Sequence, residues 1–333
     1  MCNVFNDFLM FAQSNPRIVT VQYNWLPTWI CVVGLMVALV AYAYGTRGGV
    51  IARATTKEAI RQPLFLLLFV VSAAVLILNT FMPFFTLGED IKMLKECGLA
   101  TLLIAGALLA VWTAGTSVTS EIEGKTAMTL LSKPITRRQF IVGKYLGIVQ
   151  AVIWLFLVLT LLFSLLIFYK VGYDQKESSE EVTPVLQWRE ISSGVEIPTP
   201  HPTRLRVVSQ TLPAIALSFL QVCVLGAISV TIATRLPMVV NLVVCFSIFV
   251  VGNLTPLMVS QSETTIRNEY VTFIARLFAT VLPSLESFNL SSAVSTGAQV
   301  PPVYLGASFL YALAFVCASV LLGFILFEDR DLA

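Results

Sequence analysis

The residues best placed to do chemistry fall in one stretch, Thr119 to Gly147, which reads TSEIEGKTAMTLLSKPITRRQFIVGKYLG. Its Gly124-Lys125-Thr126 matches the last three residues of a phosphate-binding loop. Such a loop needs a glycine five positions earlier, behind a strand; Thr119 stands there, behind an apolar run. The chain is therefore not expected to bind ATP itself. Nucleophilic or metal chemistry has no better footing, because the single histidine, His201, stands alone. The six cysteines, Cys2, Cys31, Cys97, Cys223, Cys245 and Cys317, are scattered with no C-x-x-C spacing, so no metal is expected. What the stretch can do is mechanical. Ser120 with Glu123 has the capping-box spacing that starts a helix, here running to about Ser132. Pro134 stops that helix, and Thr136 with Gln139 repeats the box and starts a second one. A short helix, a break and a restart make a stiff elbow, with Glu121 and Glu123 near its head and Lys133, Arg137 and Arg138 at the bend. The basic group suits anionic lipid headgroups.

The elements that carry this elbow are apolar. Hydrophobic residues make up 57% of the 333 and charged residues only 12%, against about 25% charged in a soluble globular chain. Seven long stretches lack charge altogether: Ile18–Thr46, Gln62–Gly88, Cys97–Ser120, Tyr145–Tyr169, Val207–Thr234, Leu236–Ser260 and Ser287–Phe327. Each reaches the roughly 20 residues that cross a bilayer. A charge at the bilayer centre costs about 2.5–3.5 kcal/mol, so this segregation is what burial in lipid produces. The spacing predicts helix cores at Trp29–Tyr44, Leu64–Phe84, Leu99–Val118, Leu146–Phe168, Ala214–Ala233, Met238–Leu254 and Tyr304–Phe327. The first lacks the short basic lead of a signal peptide and is read as retained. Gly106, Ala110 and Ala114 put small residues on one face of the third core, for close helix packing within the chain. A net charge of +2 implies no nucleic-acid partner.

Orientation follows the density of Lys and Arg in short loops. With the N-terminus outside, the inner segments hold Arg47, Arg53, Lys57, Arg61, Lys125, Lys133, Arg137, Arg138, Lys144, Arg235 and Arg330. The elbow and the C-terminus are then cytoplasmic, in the cell (inner) membrane. Outside lies the polar loop 170–206, with a proline-rich Ile197–Pro202, expected as a small hairpin or an unstructured loop. The region 261–302 carries helical apolar spacing over Val271–Leu285 that Arg276 and Pro283 interrupt, which predicts an interfacial or re-entrant helix at an outer gate.

Taken in order, the acidic pair, the Gly-x-Thr-like turn, Leu130-Leu131-Ser132, Lys133-Pro134, Arg137-Arg138 and Ile141-Val142-Gly143-Lys144 resemble the cytoplasmic signature of ABC type-2 permeases. The basic entry Ala52–Gln62 and the terminal Phe327–Leu332 match more weakly. The resemblance implies an all-α, polytopic membrane helical bundle: a six-helix permease domain over 51–333, preceded at 1–50 by a leader and one extra transmembrane helix. It also implies a coupling helix inside the elbow 119–144 that docks on a separate cytoplasmic ATPase, itself the binder of ATP and magnesium. On this reading Glu121, Glu123, Lys125, Thr126, Lys133, Pro134, Arg137, Arg138 and Lys144 form the coupling site. The resemblance further implies a transport subunit, not an enzyme, working in a homo- or heterodimer of permeases, with export as its direction.

Two other classes compete. An ion-coupled transporter needs ionisable residues within its spans, where only Gln150, Gln221, Asn241 and Asn253 offer strong polarity as a substrate path. A non-transporting membrane scaffold needs no elbow.

Overall fold

The computed structural model describes residues 44–81, 90–119, 136–177, 183–192, 195–261 and 282–328, together with Gly34, Ala41, Glu121, Phe273 and Leu277. Most of the first predicted core, most of Val271–Leu285 and the elbow positions Glu123, Lys125, Thr126, Lys133 and Pro134 lie outside them.

An amphipathic helix opens the described chain. This is α1, Arg47–Arg61, capped by Thr46, whose hydroxyl accepts from the Gly49 amide at 3.1 Å. The spans follow as α2 (Pro63–Phe81), α3 (Asp90–Ala114, continued by a π-helical turn, Gly115–Thr119) and α4 (Arg137–Glu177). A two-stranded antiparallel hairpin, β1 (Leu186–Ser192) with β2 (Val195–Pro200), then leads into α5 (Pro202–Ala233) and α6 (Met238–Gln261). A 3-10 turn at Leu285–Phe288, the short α7 (Ser291–Ser295) and α8 (Pro302–Glu328) complete it. Among the described residues, six helices are long and apolar enough to cross a membrane, α2 to α6 and α8. They correspond to the last six predicted cores.

The spans outrun those cores because helix continues past the apolar stretch wherever a polar end finds a partner. α4 has 41 residues, about 60 Å at 1.5 Å each, twice the hydrocarbon thickness. Both ends of the predicted 170–206 loop, 170–177 and 202–206, are therefore helix, and the hairpin lies between them. α3 likewise begins at Asp90, where Asp90 and Lys170 of α4 make a buried ion pair at 2.9 Å. Arg204 of α5 is buried against Gly172 and donates to the carbonyls of Thr183 (2.6 Å) and Phe168 (3.3 Å).

The core lies where α3, α4 and α5 meet. Leu102 and Leu109, Leu155, Leu159 and Phe163, and Leu217, Val224 and Ala227 are sealed from the surface there. Small residues set the spacing: Gly106 admits the Phe156 ring, and Ala110 meets Gly226. The predicted small-residue face thus packs inside the chain. Two thirds of the α5 span is buried, against 22%, 22% and 17% for α2, α6 and α8, whose apolar outer faces are left to lipid or a second subunit. Alternation of the spans puts α1, the ends of α3 and α5, the starts of α4 and α6 and the end of α8 on one side, the elbow side. The hairpin, Asp90–Lys170 and α7 lie on the far side.

Candidate functional site at the root of the elbow

α3 ends and α4 begins beside one another, so the two roots of the elbow are held together. The tie is Lys144, two turns into α4 and 3% exposed. Its ammonium donates to the Ser117 hydroxyl in the π turn at 2.7 Å and to Glu121 Oε1 at 2.6 Å. A buried ammonium needs such partners, since taking an unpaired charge out of water is costly. A π turn adds a residue to the helical repeat and sits at functional bends elsewhere. Here it turns Ser117 toward Lys144 and brings the Thr119 hydroxyl to the carbonyls of Ala233 (3.4 Å) and Leu236 (3.5 Å), where α5 turns into α6.

The start of α4 carries the predicted capping box. Gln139 N–H donates to Thr136 Oγ1 at 3.3 Å, and Thr136 N–H donates back to Gln139 Oε1 at 3.2 Å. Arg137 reaches across to α8, donating to the Phe327 carbonyl at 3.3 Å and lying over the Phe327 ring, which itself stacks on Phe140. Arg235, from the α5–α6 turn, donates to the neighbouring Leu326 carbonyl at 2.7 Å. Two guanidiniums thus satisfy the last carbonyls of α8, where the helix dipole favours positive charge.

α1 lies along the first turns of α4. Gly143 faces the Gly48 carbonyl, and Gly147 faces the Ala52 carbonyl and Thr55; a Cβ on Gly147 would stand 2.6 Å from that carbonyl. The Thr56 hydroxyl has the carbonyls of Ala52 (2.8 Å) and Gly147 (3.0 Å) and Gln150 Oε1 (3.0 Å) within reach, and donates to one at a time. Gln62, between α1 and α2, donates to Thr116 Oγ1 at 3.3 Å.

A family model described as an ABC-2 family transporter protein matches residues 25–332 of this chain. The chain belongs to the ABC-2 transporter family. It is therefore a multi-pass integral membrane protein, the permease component of an ABC transporter. No curated protein matches the chain. The family match begins at residue 25, so it takes in most of the first uncharged stretch as well as the six spans described.

In this permease, Glu121 and Lys144 of the predicted coupling set come together at the elbow's root, while Arg137 and Arg138 are exposed at the start of α4. Glu121 and Lys144 bind each other, and Arg137 binds α8. The four polar residues proposed for a substrate path do not converge. Gln150 serves Thr56, and Gln221 donates to Asn253 Oδ1 at 3.3 Å. Asn241 donates to Ser229 at 2.9 Å and accepts from Cys245. The Gln221 and Asn241 bonds staple α6 to α5. Ser117 and Thr56 went unnoticed in the sequence, and Arg235 counted there only as an inner-side charge. Only Lys144 carried a hint, as the last charge before an uncharged run.

Proposed function

We propose that this permease is the membrane subunit of an ATP-driven exporter, moved by a separate cytoplasmic ATPase that seats on the segment between Thr119 and Thr136. One observation carries the reading: the Lys144 tie to Ser117 and Glu121 joins both roots of that segment, 2.6–2.7 Å at each contact, so a push on it cannot be absorbed locally. The Arg137 and Thr119 bonds carry the same push to α8 and α5. Nucleotide closure in the ATPase would then tilt the spans between inward and outward access, with ATP and magnesium held by the partner chain. Two permeases, alike or different, would flank the path, since α2, α6 and α8 bury so little within one chain. The density of Lys and Arg in the short loops supports a cytoplasmic elbow.

The intact assembly, purified from membranes through a tag on this chain, tests the proposal. A nucleotide-hydrolysing chain should accompany it, and Glu123→Ala with Lys125→Ala should release that chain while the thermal unfolding of the permease stays unchanged. An intact assembly without such a chain, or an elbow labelled by an impermeant reagent from outside the cell, overturns it.

A further inference from the structure

Beside the start of α4, a cavity of about 350 Å³ opens toward α8. Thr136, Arg137 and Arg138 line its rim, and Ile141 and Phe324 line its base. The lining changes character within one turn of α4. The first turn offers two guanidiniums and a hydroxyl, all exposed; the next offers Ile141, which belongs to the core, and across from it Phe324 of α8. Arg137 uses Nη1 on Phe327, and Arg138 has no side-chain partner among the described residues. Thr136 Oγ1 accepts from Gln139, which leaves its own proton to donate.

A free phosphate or a protein carboxylate would satisfy the cations and leave the apolar base wet. A phospholipid meets both halves, with a phosphodiester for planar, multidentate guanidiniums and an acyl chain for the isoleucine and phenylalanine. The cavity sits where such a molecule must be, because α4 and α8 both enter the bilayer from this end. Its volume is at the lower end of the roughly 300–1,000 Å³ range of small-ligand sites.

We propose that this cavity holds one anionic phospholipid, its phosphate on Arg138 and the Thr136 hydroxyl beside the Arg137 guanidinium, and its first acyl carbons along Phe324, over the buried Ile141. The lipid clamps the root of the elbow to the end of α8. Arg137 and Arg138 then belong to the lipid site, and contact with the ATPase falls to the segment between Thr119 and Thr136. The site needs only a bilayer, so it stands or falls apart from the ATPase.

The full chain, purified without any ATPase, is mixed with phosphatidylglycerol, phosphatidylcholine or inorganic phosphate, and retention is read by native mass spectrometry alongside the thermal midpoint. Phosphatidylglycerol should be retained and raise the midpoint, and the other two should do neither. Arg138→Gln should weaken retention about fivefold, the worth of one arginine at an anionic interface, and Arg138→Lys should keep most of it. Arg206→Gln, an exposed far-side change, should leave it unaltered. Equal retention of phosphatidylcholine, a full effect from inorganic phosphate, or an unchanged Arg138→Gln overturns the site. So does an equal loss in Arg206→Gln, which would mark general charge attraction. Retention by a chain that recruits no ATPase would refute the proposed function and leave this site standing.

Discussion

Lys144→Met removes the ammonium from the root of the elbow and leaves an apolar side chain of similar length to fill the space. Two contacts are lost, the hydrogen bond to Ser117 at 2.7 Å and the ion pair with Glu121 at 2.6 Å. Interhelical hydrogen bonds in membrane proteins measure at most about 1.7 kcal/mol, so about 1 kcal/mol is fair for the first. The Glu121 side chain is 25% exposed and that of Lys144 3%. The pair therefore lies between a screened surface bridge, under about 1 kcal/mol, and a fully buried one, whose rupture costs about 3–5 kcal/mol. About 2 kcal/mol is reasonable, offset by roughly 1 kcal/mol because the lysine's own desolvation no longer opposes folding. The net loss is then about 2 kcal/mol, or a midpoint lower by roughly 4 °C in a chain of this size.

The assay is a thermal double-mutant cycle in nanodiscs over the wild type, Lys144→Met, Glu121→Gln and the double variant. The two changes should couple by about 1.5 kcal/mol, because the second removes a contact already gone. In the assembled transporter, Lys144→Met should leave ATP hydrolysis in place and uncouple it from transport, since the partner still docks but its push is spent on a slack root. Additive effects within about 0.5 kcal/mol would refute the tie as an energetic unit. Normal coupling of hydrolysis to transport would refute it as a lever.

Three further outcomes follow from contacts elsewhere. Gly147→Ala drives a methyl to 2.6 Å from the Ala52 carbonyl, so it should cost about 1–3 kcal/mol and raise protease access to α1, measured by limited proteolysis in nanodiscs. Asp90→Asn strands the buried Lys170 ammonium and should cost about 3–5 kcal/mol, whereas Asp90→Asn with Lys170→Met should recover most of it in the thermal midpoint. Burial pushes the Glu286 carboxyl above its usual range, and its Oε2 has no partner among the described residues. The folded chain then holds that proton more tightly than the unfolded one, so stability present at low pH is lost as pH rises through the raised value. Midpoints from about pH 4.5 to 8 should show that loss in the wild type and not in Glu286→Gln.

The six spans were legible because lipid imposes one rule on every residue along them, and a charge-free run of sufficient length obeys it regardless of tertiary detail. The Thr136–Gln139 box was legible for a related reason: both partners lie within one turn. What escaped the sequence is pairing across distance. Lys144 and Ser117 are 27 residues apart and Asp90 and Lys170 are 80 apart, and no local pattern marks either pair. Those pairs are also why the helices overran their predicted cores. A lysine or aspartate at the edge of an apolar run reads as the end of a span, yet the helix passes through it once a partner on the next helix meets the charge. Loop 170–206 was misjudged in length for the same reason, with Lys170 and Arg204 both buried inside helices rather than solvated between them.

The distribution of those long-range bonds bears on how the permease moves. On the elbow side, Lys144 and Arg137 tie the start of α4 to the ends of α3 and α8, Thr119 ties the end of α3 to the end of α5, and Arg235 ties the α5–α6 turn to the end of α8, so these span ends are linked to one another. On the far side, the ties run between α3, α4 and α5 through Asp90–Lys170 and Arg204, and Lys95 of α3 reaches the Val294 carbonyl in α7. The helices α3, α4 and α5 are thus fastened at both ends and sealed in the middle, which makes them a single stiff body. α2 and α6 are fastened to it more lightly, α2 through Gln62 on Thr116 and α6 through single amide bonds to α5. On the proposed function, a force arriving at the elbow would turn the three-helix body as a unit, and relative motion would concentrate where bonding among the described residues is sparse, along α2 and α6. Both are among the apolar faces left open to lipid or a second subunit, with α8 the third, so the motion would fall on two of the three helices open to a partner.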